Sequence, residues 1–185
     1  MTEKTVIGIT GMPGSGKNTV QEVVKAYNLP LFVMGDEVRA EAARRNLEPT
    51  PENLGKLMLQ LREEEGPEVL ARRLIPKIMA SNSSIMIIDG IRSMEEVNEF
   101  RKFFPKFKIL AIHASPGTRF RRLLKRNRSD DPKNWEAFIE RDERELKVGI
   151  GEVIAQADLI LMNEGTIDNL RKKLYRLFRR WLRNE

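Results

Sequence analysis

The chain has 185 residues, enough for one domain with a sizeable core, and its formal net charge is +6. It contains no cysteine and one histidine, which excludes disulfides, thiol chemistry and a histidine-rich metal site, and the lack of cysteine fits a cytoplasmic protein. No apolar run is long enough for a transmembrane helix, so we expect no membrane partner. The positive charge suits phosphate-bearing ligands and also nucleic acid.

The first motif joins a predicted strand, residues 5–10, to a predicted helix, residues 19–27. The connecting residues, which fit the pattern GxxxxGK, are Gly11, Met12, Pro13, Gly14, Ser15, Gly16, Lys17, Asn18 and Thr19. Glycines let successive backbone N–H groups point inward, the helix N-terminus adds partial positive charge, and Lys17 reaches the outer phosphates. The motif therefore predicts a nucleoside triphosphate site, for which we expect ATP as the ligand.

The predicted magnesium ligands are Asn18 and Asp89. Ser or Thr is the usual residue after the lysine, because its hydroxyl binds Mg²⁺, but the amide oxygen of Asn18 is an alternative ligand, directly or through water. Thr19 lies about a third of a turn further along the helix. Asp89 ends an apolar run at the sheet edge where ligands bind, and we expect it to hold Mg²⁺ directly or through water.

Strand and helix signals alternate along the rest of the chain. The further predicted strands are residues 31–34, 85–89, 107–114 and 159–162. The further predicted helices with both ends defined are residues 37–45, 51–65, 118–126, 134–148 and 170–182. Two more helices are predicted, one that ends near residue 79 and one that starts after residue 93. Asp36, Thr50 and Ser93 are the predicted N-caps, and Ser93 forms a capping box with Glu96. This alternation predicts an α/β fold, with a five-stranded parallel sheet and helices on both faces in three layers.

Basic residues follow several of the predicted strands. Asp36 and Arg39 come just after the second strand, and Arg92 follows Asp89 by one turn. Two arginines so placed indicate a second anionic ligand that faces the triphosphate. The later arginines are Arg119, Arg121, Arg122, Arg126, Arg128 and Arg141. Phosphoryl transfer needs positive charge around the transferred group, and a mobile segment bearing arginines would supply that charge while excluding water.

These motifs resemble those of the nucleoside monophosphate kinase group of P-loop kinases, which includes adenylate kinase and dephospho-CoA kinase. Residues 35–39 resemble the acceptor-site Gly-Asp-x-x-Arg, and residues 89–92 resemble Asp-Gly-Phe-Pro-Arg, with the proline missing and the arginine one residue early. Arg122 and Arg126 resemble the entry to the lid, and residues 128–131 with Arg141 resemble its exit. Over nearly the whole chain, the run of motifs is most similar to the UPF0200 family of adenylate-kinase-like proteins.

The resemblance implies one P-loop kinase-like domain over residues 1–185, with a helical acceptor-side insert at about 37–79 and a short lid at about 119–141. It implies that Arg39 and Arg92 hold the phosphate of the acceptor. The loop after the last strand, with Asn163 and Gly165, is expected to pack on adenine. Only one residue separates Arg126 from Arg128, so the extended lid of long adenylate kinases is absent.

We therefore predict an ATP-dependent phosphotransferase that acts on a small nucleotide-like acceptor. Lys17 stabilises the transferred charge, Asp89 positions Mg²⁺, and Asp36 orients an acceptor hydroxyl if one is present. The predicted closing set is Arg122, Arg126, Arg128 and Arg141.

Two alternatives remain open. One is a nucleotide-dependent switch, or an RNA or ribosome assembly factor, with slow ATPase activity and a basic C-terminal helix that contacts RNA. The other is a nucleotide-binding protein that has lost catalysis, with Asn18 as the lesion.

Overall fold

The computed structural model describes residues 4–128 and 131–183, so Ser129 and Asp130 of the predicted lid lie outside the described residues. The strands are β1 (Thr5–Thr10), β2 (Leu31–Val33), β3 (Ile85–Asp89), β4 (Lys106–His113) and β5 (Leu159–Met162). The helices are α1 (Lys17–Ala26), α2 (Met34–Arg44), α3 (Pro51–Glu65), α4 (Val69–Met79), α5 (Met94–Phe103), α6 (Pro116–Arg126), α7 (Trp135–Val148), α8 (Ile150–Ala155) and α9 (Ile167–Arg183). Within these ranges, no helix has the length and apolar character needed to span a bilayer.

The strands form one parallel sheet in the order β2-β3-β1-β4-β5. In the register of the central strand, Ile9 of β1 lies between Asp89 of β3 and Leu110 of β4. The strand order reverses at β1, because the chain leaves β1 to build one side of the sheet and returns to β4 on the other. In sheets of this kind the ligand crevice opens at the carboxyl ends of the strands beside such a reversal.

Helices cover both faces of the sheet, as the sequence predicts. On one face, α1 and α9 bury apolar residues such as Val23 and Leu174 against β1, β3 and β4. On the other face, a larger core joins α2, α3, α4, α5 and α8 to the same strands, with Leu74 and Phe100 among its buried residues. The predicted three-layer α/β fold with a five-stranded parallel sheet is therefore confirmed.

The starts of several helices differ from the predictions. Helix α1 begins at Lys17 rather than Thr19, α6 begins at Pro116, and α8 is a short helix that the sequence analysis does not predict. The predicted N-cap at Asp36 is wrong, because α2 follows β2 without a loop and Val33 occupies the cap position. Asp36 instead lies in the first turn, where a carboxylate still interacts favourably with the helix dipole.

The other two predicted N-caps are present. Thr50 Oγ1 accepts a hydrogen bond from the Asn53 N–H at 3.2 Å, and Ser93 Oγ accepts one from the Glu96 N–H at 3.3 Å. The second half of the predicted capping box differs, because the Glu96 carboxylate accepts from the backbone N–H of Arg92 at 2.8 Å rather than from that of Ser93. Glu96 thereby fixes the backbone just after β3, where the site begins.

Candidate active site

The loop between β1 and α1 has a backbone that only glycine adopts easily. Gly11, Gly14 and Gly16 have φ values of 148°, 81° and 106°. A Cβ atom on Gly11 would lie 2.4 Å from the carbonyl oxygen of Ile112, and one on Gly16 would lie 2.4 Å from Asn163 Nδ2. The glycines therefore permit both the left-handed turns and the close approach of β4 and the loop after β5. The result is a cradle of backbone groups at the N-terminus of α1, suited to phosphate.

Lys17 is the first residue of α1, and its ammonium group turns back onto the loop. Nζ donates hydrogen bonds to the carbonyl oxygens of Gly11 and Met12, the latter at 3.4 Å. Burial lowers the pKa of Lys17 to about 8, and the nearby charge of Asp89 opposes this shift. The site therefore holds a partly desolvated cation that a polyphosphate would stabilise.

Asp89, at the end of β3, provides the buried oxygen that a metal site requires. Gln21 Nε2 donates to Oδ2 of Asp89 at 2.5 Å, whereas Oδ1 is buried and has no hydrogen-bond partner among the described residues. Asn18 and Thr19 line the cavity in front of the loop, with Asn18 exposed and Thr19 buried. These oxygen donors fit Mg²⁺, the ion that the fold family implies, because it prefers carboxylate and other oxygen ligands.

Gln21 is a site residue that the sequence analysis does not identify. The sequence gives only a weak indication of this role: Gln21 lies four residues after Lys17 and therefore on the same face of α1.

A cavity of about 640 Å³ opens in front of the loop and brings most of the predicted site together. Loop residues that line it include Gly11, Pro13, Gly14, Gly16 and Lys17, and the predicted arginines that line it are Arg92, Arg122, Arg126, Arg128 and Arg141. Met12 and Ser15 are buried behind this surface. The arginines come from the segment after β3, from α6 and the residues that follow it, and from α7, so three parts of the chain supply positive charge to one space.

The loop after β5 contacts the phosphate loop directly. Asn163 is buried, and its Nδ2 donates to the carbonyl oxygen of Ser15 at 2.8 Å. Arg122 Nη2 donates to the carbonyl oxygen of Gly165 at 3.0 Å and lies 3.4 Å from Asn163 Oδ1. Arg122 Nη1 is buried without a partner among the described residues, and burial lowers the pKa of this side chain. An unpartnered buried donor at the cavity is suited to a ligand.

Asp131 holds the closing arginines in the observed conformation. This buried carboxylate accepts from Arg126 Nε at 2.9 Å and from the backbone N–H of Arg128 at 3.0 Å, and Arg141 Nη1 lies 3.6 Å away. The hydrogen bond from Arg126 lowers the pKa of Asp131. Asp131 keeps the guanidinium groups of Arg126 and Arg141 together beside the cavity, a role that the sequence analysis does not assign to it.

Arg119 and Asp142 connect the phosphate loop to α7. Arg119 Nη1 donates to Asp142 Oδ1 at 2.8 Å and to the carbonyl oxygen of Pro13 at 3.2 Å, and its Nε donates to the carbonyl oxygen of Ala114 at 3.1 Å. The guanidinium carbon also lies 5.0 Å from the centre of the Phe138 ring. This buried pair links the phosphate loop, the residue after β4 and the helices α6 and α7, and the sequence analysis does not predict it.

Arg92 pairs with a carboxylate that the sequence analysis also misses. Its Nε lies 3.2 Å from Oε2 of Glu145 on α7, and its Nη1 lies 3.0 Å from Met58 Sδ on α3. Glu145 is one turn after Arg141, which already lines the cavity, and this spacing is the signal that could have identified it.

Asp36 and Arg39, which the sequence predicts to bind the acceptor, do not line the cavity. They form an ion pair with each other on α2, and their side chains are 60% and 51% exposed. Because they lie three residues apart on an exposed helix face, they satisfy each other's charge at the surface. The predicted roles of these two residues in acceptor binding receive no support from this arrangement.

The strand order, the glycine loop that leads into α1 and the acid at the end of the neighbouring strand define a P-loop protein with a kinase-type α/β fold. The model of the family described as "AAA domain" matches residues 10–138. Two solved structures share the fold: TT1252 from Thermus thermophilus has a TM-score of 0.65 and 19% identity, covering 96% of this chain and 98% of its own. Shikimate kinase from Aquifex aeolicus has a TM-score of 0.53 and 18% identity, and the match covers 92% of this chain and 94% of the kinase chain. Proteins with this fold and loop generally bind ATP and Mg²⁺.

Close relatives match along almost the whole chain. The UPF0200 protein MJ1399 of Methanocaldococcus jannaschii is 48% identical over 97% of this chain and 91% of its own length. The UPF0200 protein PYRAB09750 of Pyrococcus abyssi is 44% identical over 96% of this chain and 97% of its own length. The chain belongs to the UPF0200 family, and the resemblance inferred from its motifs is confirmed.

Proposed function

We propose that this protein is an ATP-dependent phosphotransferase that moves the γ-phosphoryl group of ATP to a small nucleotide-like acceptor. The observation that supports this most directly is the shared cavity, which is lined both by the phosphate loop and by arginines from three separate parts of the chain. Phosphoryl transfer depends on positioning and on positive charge around the transferred group, and this cavity provides both.

In the proposed complex, the loop of residues 11–19 binds the triphosphate and Lys17 contacts its outer phosphates. Asp89 and Asn18 would hold Mg²⁺, which neutralises charge on the phosphates when bound. The closing set is Arg122, Arg126, Arg128 and Arg141. Arg126 and Arg141 contact Asp131 in the observed conformation, so we expect ligand phosphates to compete with this carboxylate.

We place the acceptor on the side of Arg92, where α3 and α7 meet the end of β3. In this proposal, α2, α3 and α4 form the acceptor-side insert, and the lid of about 119–141 includes most of α6 and the first half of α7. Asn163 and Gly165, which contact Arg122 and the phosphate loop, would lie beside the base of ATP.

The proposal is tested by following ATP consumption with a panel of nucleoside monophosphates and dephospho-CoA. We expect one acceptor to stimulate turnover and Lys17→Ala to abolish it, because the buried ammonium would no longer balance the transferred charge. Lys25→Ala is the matched control, since Lys25 is exposed near the end of the same helix and should be dispensable. An acceptor-dependent rate that survives Lys17→Ala would refute the assignment.

The second candidate function is a nucleotide-dependent switch or assembly factor that contacts RNA through α9. The observation in its favour is a stripe of cations that form no ion pair within the described part of the chain: Lys172, Arg176, Arg179, Arg180 and Arg183. Their spacing places them on one exposed helix face, opposite the buried Leu170 and Leu174. Such a face suits a phosphate backbone.

Salt dependence and charge reversal separate this second function from the first. Slow ATP hydrolysis that no acceptor stimulates, together with salt-sensitive binding of a labelled single-stranded RNA, would favour the switch. The triple change Arg176→Glu, Arg179→Glu and Arg183→Glu should then abolish RNA binding, while Lys25→Glu should not. Acceptor-stimulated turnover without RNA binding would favour the phosphotransferase.

A further inference from the structure

The cavity is strongly basic, yet a carboxylate lies in its interior. Among the described residues, the carboxylates that line it are Glu22 and Glu145. Glu22 is at the rim, 59% exposed and paired with Arg171. Glu145 is inside, with only 17% of its side chain exposed. The presence of a largely buried carboxylate among cations that suit phosphate needs a chemical explanation.

The contacts of Glu145 leave part of its hydrogen-bonding capacity unused. Its Oε2 lies 3.2 Å from Arg92 Nε, but this buried oxygen accepts no hydrogen bond from any described residue. The carboxylate is also near the phosphate loop: burial lowers the pKa of Lys17, and the negative charges of Asp89 and Glu145 act against that shift. Glu145 therefore lies beside Arg92, on the proposed acceptor side, and in the same cavity as Lys17, the group expected to contact the outer phosphates.

The charge of Glu145 discriminates between two classes of acceptor. A carboxylate accepts hydrogen bonds and repels anions, so it works against an acceptor whose reacting group is itself a phosphate. A hydroxyl group, in contrast, donates the hydrogen bond that Oε2 lacks. Arg92, held by Glu145 and by Met58 Sδ, can at the same time face an anionic group elsewhere on the same molecule.

We infer that Glu145 accepts the hydrogen bond of the attacking hydroxyl group, so that the acceptor is an alcohol and the product is a phosphate monoester. This inference rests on the proposed phosphotransferase function and specifies its substrate class. The hydroxyl oxygen forms the new bond to the γ-phosphorus, and the bond from that phosphorus to the β,γ-bridging oxygen breaks. ADP leaves, and the hydroxyl proton passes to the Glu145 carboxylate and then to solvent.

The experiment compares two classes of acceptor and identifies the bond that is formed. Purified protein with ATP and Mg²⁺ is incubated with nucleoside monophosphates, whose phosphate would accept, or with nucleosides and dephospho-CoA, whose hydroxyl would accept. Phosphorus NMR then distinguishes a phosphoanhydride product from a phosphate monoester. We expect a monoester.

Variants at position 145 test the residue itself. Glu145→Gln keeps the shape but cannot take the proton, and it should lower kcat by about 10²- to 10⁴-fold, the usual contribution of a general base. ATP affinity, measured by calorimetry, should not fall, because this change removes a negative charge from the cavity that is expected to bind phosphates. Glu145→Asp, which keeps the carboxylate, should retain more activity than Glu145→Gln. Glu143→Gln, an exposed change on the same helix, is the matched control.

A solvent isotope effect on kcat separates proton transfer from a structural role: it should be present in the wild type and lost in Glu145→Gln, whereas a purely structural role would leave it in place. A phosphoanhydride product, or an unchanged kcat in Glu145→Gln, would overturn the inference and leave the phosphotransferase proposal intact. Transfer to no acceptor of either class would refute the proposed function and this inference with it.

Discussion

The two sides of the cavity are built in different ways. On the phosphate-loop side, the proposed binding groups are backbone N–H groups, and glycine conformations and contacts from Arg119 and Asn163 to loop carbonyls fix the backbone that carries them. On the closing side, the groups are long arginine side chains, and carboxylates hold them: Asp131 holds Arg126, and Glu145 lies against Arg92. The phosphate-loop side is preorganised for an anionic ligand, whereas the closing side already contains carboxylates of the protein itself.

This difference indicates how each side responds to a ligand. We expect phosphate binding to the loop to require little rearrangement, because the glycine conformations and the contacts to loop carbonyls already fix the backbone. On the closing side, we expect substrate phosphates to compete with Asp131 for Arg126 and Arg141, so the charge around these arginines changes when a ligand binds. The loop side is therefore sensitive to backbone geometry, and the closing side is sensitive to the removal of a charge. The following predictions test this contrast.

The largest expected effect is that of Asp142→Ala, which removes the partner of the buried Arg119. An uncompensated buried charge should cost about 3–5 kcal/mol of unfolding free energy, measured by urea denaturation. The control is Asp36→Ala, which breaks the exposed pair with Arg39 and should cost only about 0–1 kcal/mol. Equal losses in the two variants would contradict the structural role of the Arg119–Asp142 pair.

The second prediction concerns the backbone of the loop. Gly11→Ala would place a Cβ atom 2.4 Å from the Ile112 carbonyl oxygen at a φ of +148°, so the loop must shift. The strain should cost about 1–3 kcal/mol and lower ATP affinity by roughly tenfold or more, because each ~1.4 kcal/mol corresponds to a factor of ten.

Gly55→Ala is the control for this change. Gly55 lies inside α3, and its added Cβ would contact nothing within 4 Å. This variant should gain about 0.4–1 kcal/mol of stability and bind ATP normally. Normal ATP affinity in Gly11→Ala, measured by calorimetry, would show that the loop conformation does not control binding.

The same contrast explains which parts of the molecule can be predicted from sequence. Short β-branched strands that alternate with helices define the sheet, and the strand β3 and the loop motif lie where the pattern predicts. The main local error, the N-cap at Asp36, arises because α2 follows β2 directly, so the residue that looks like a cap is already inside the helix. The short helix α8 is too brief to produce a periodic pattern.

Gln21, Asp142 and Glu145, which sequence reasoning misses, share one property: their roles depend on a partner far along the chain. Gln21 contacts Asp89 across 68 residues, and Asp142 contacts Arg119 across 23. Neither has a motif of its own, because a carboxylate or an amide on a helix is usually a solvated surface residue. A glycine loop can be recognised from local spacing, whereas charge pairing across a cavity appears only once the fold brings the helices together.

The smallest expected effect is a change in proton uptake when ATP binds. Because the Lys17 pKa is lowered to about 8 from 10.5, the folded protein binds fewer protons than the unfolded chain between these values, and its stability should rise with pH across this window. A bound polyphosphate favours the charged ammonium, so near pH 9 ATP binding should take up as much as about one proton. Calorimetry in buffers of different ionisation enthalpy measures this number. Lys17→Arg, which stays charged throughout, is the control, and equal uptake in both proteins would show that another group titrates.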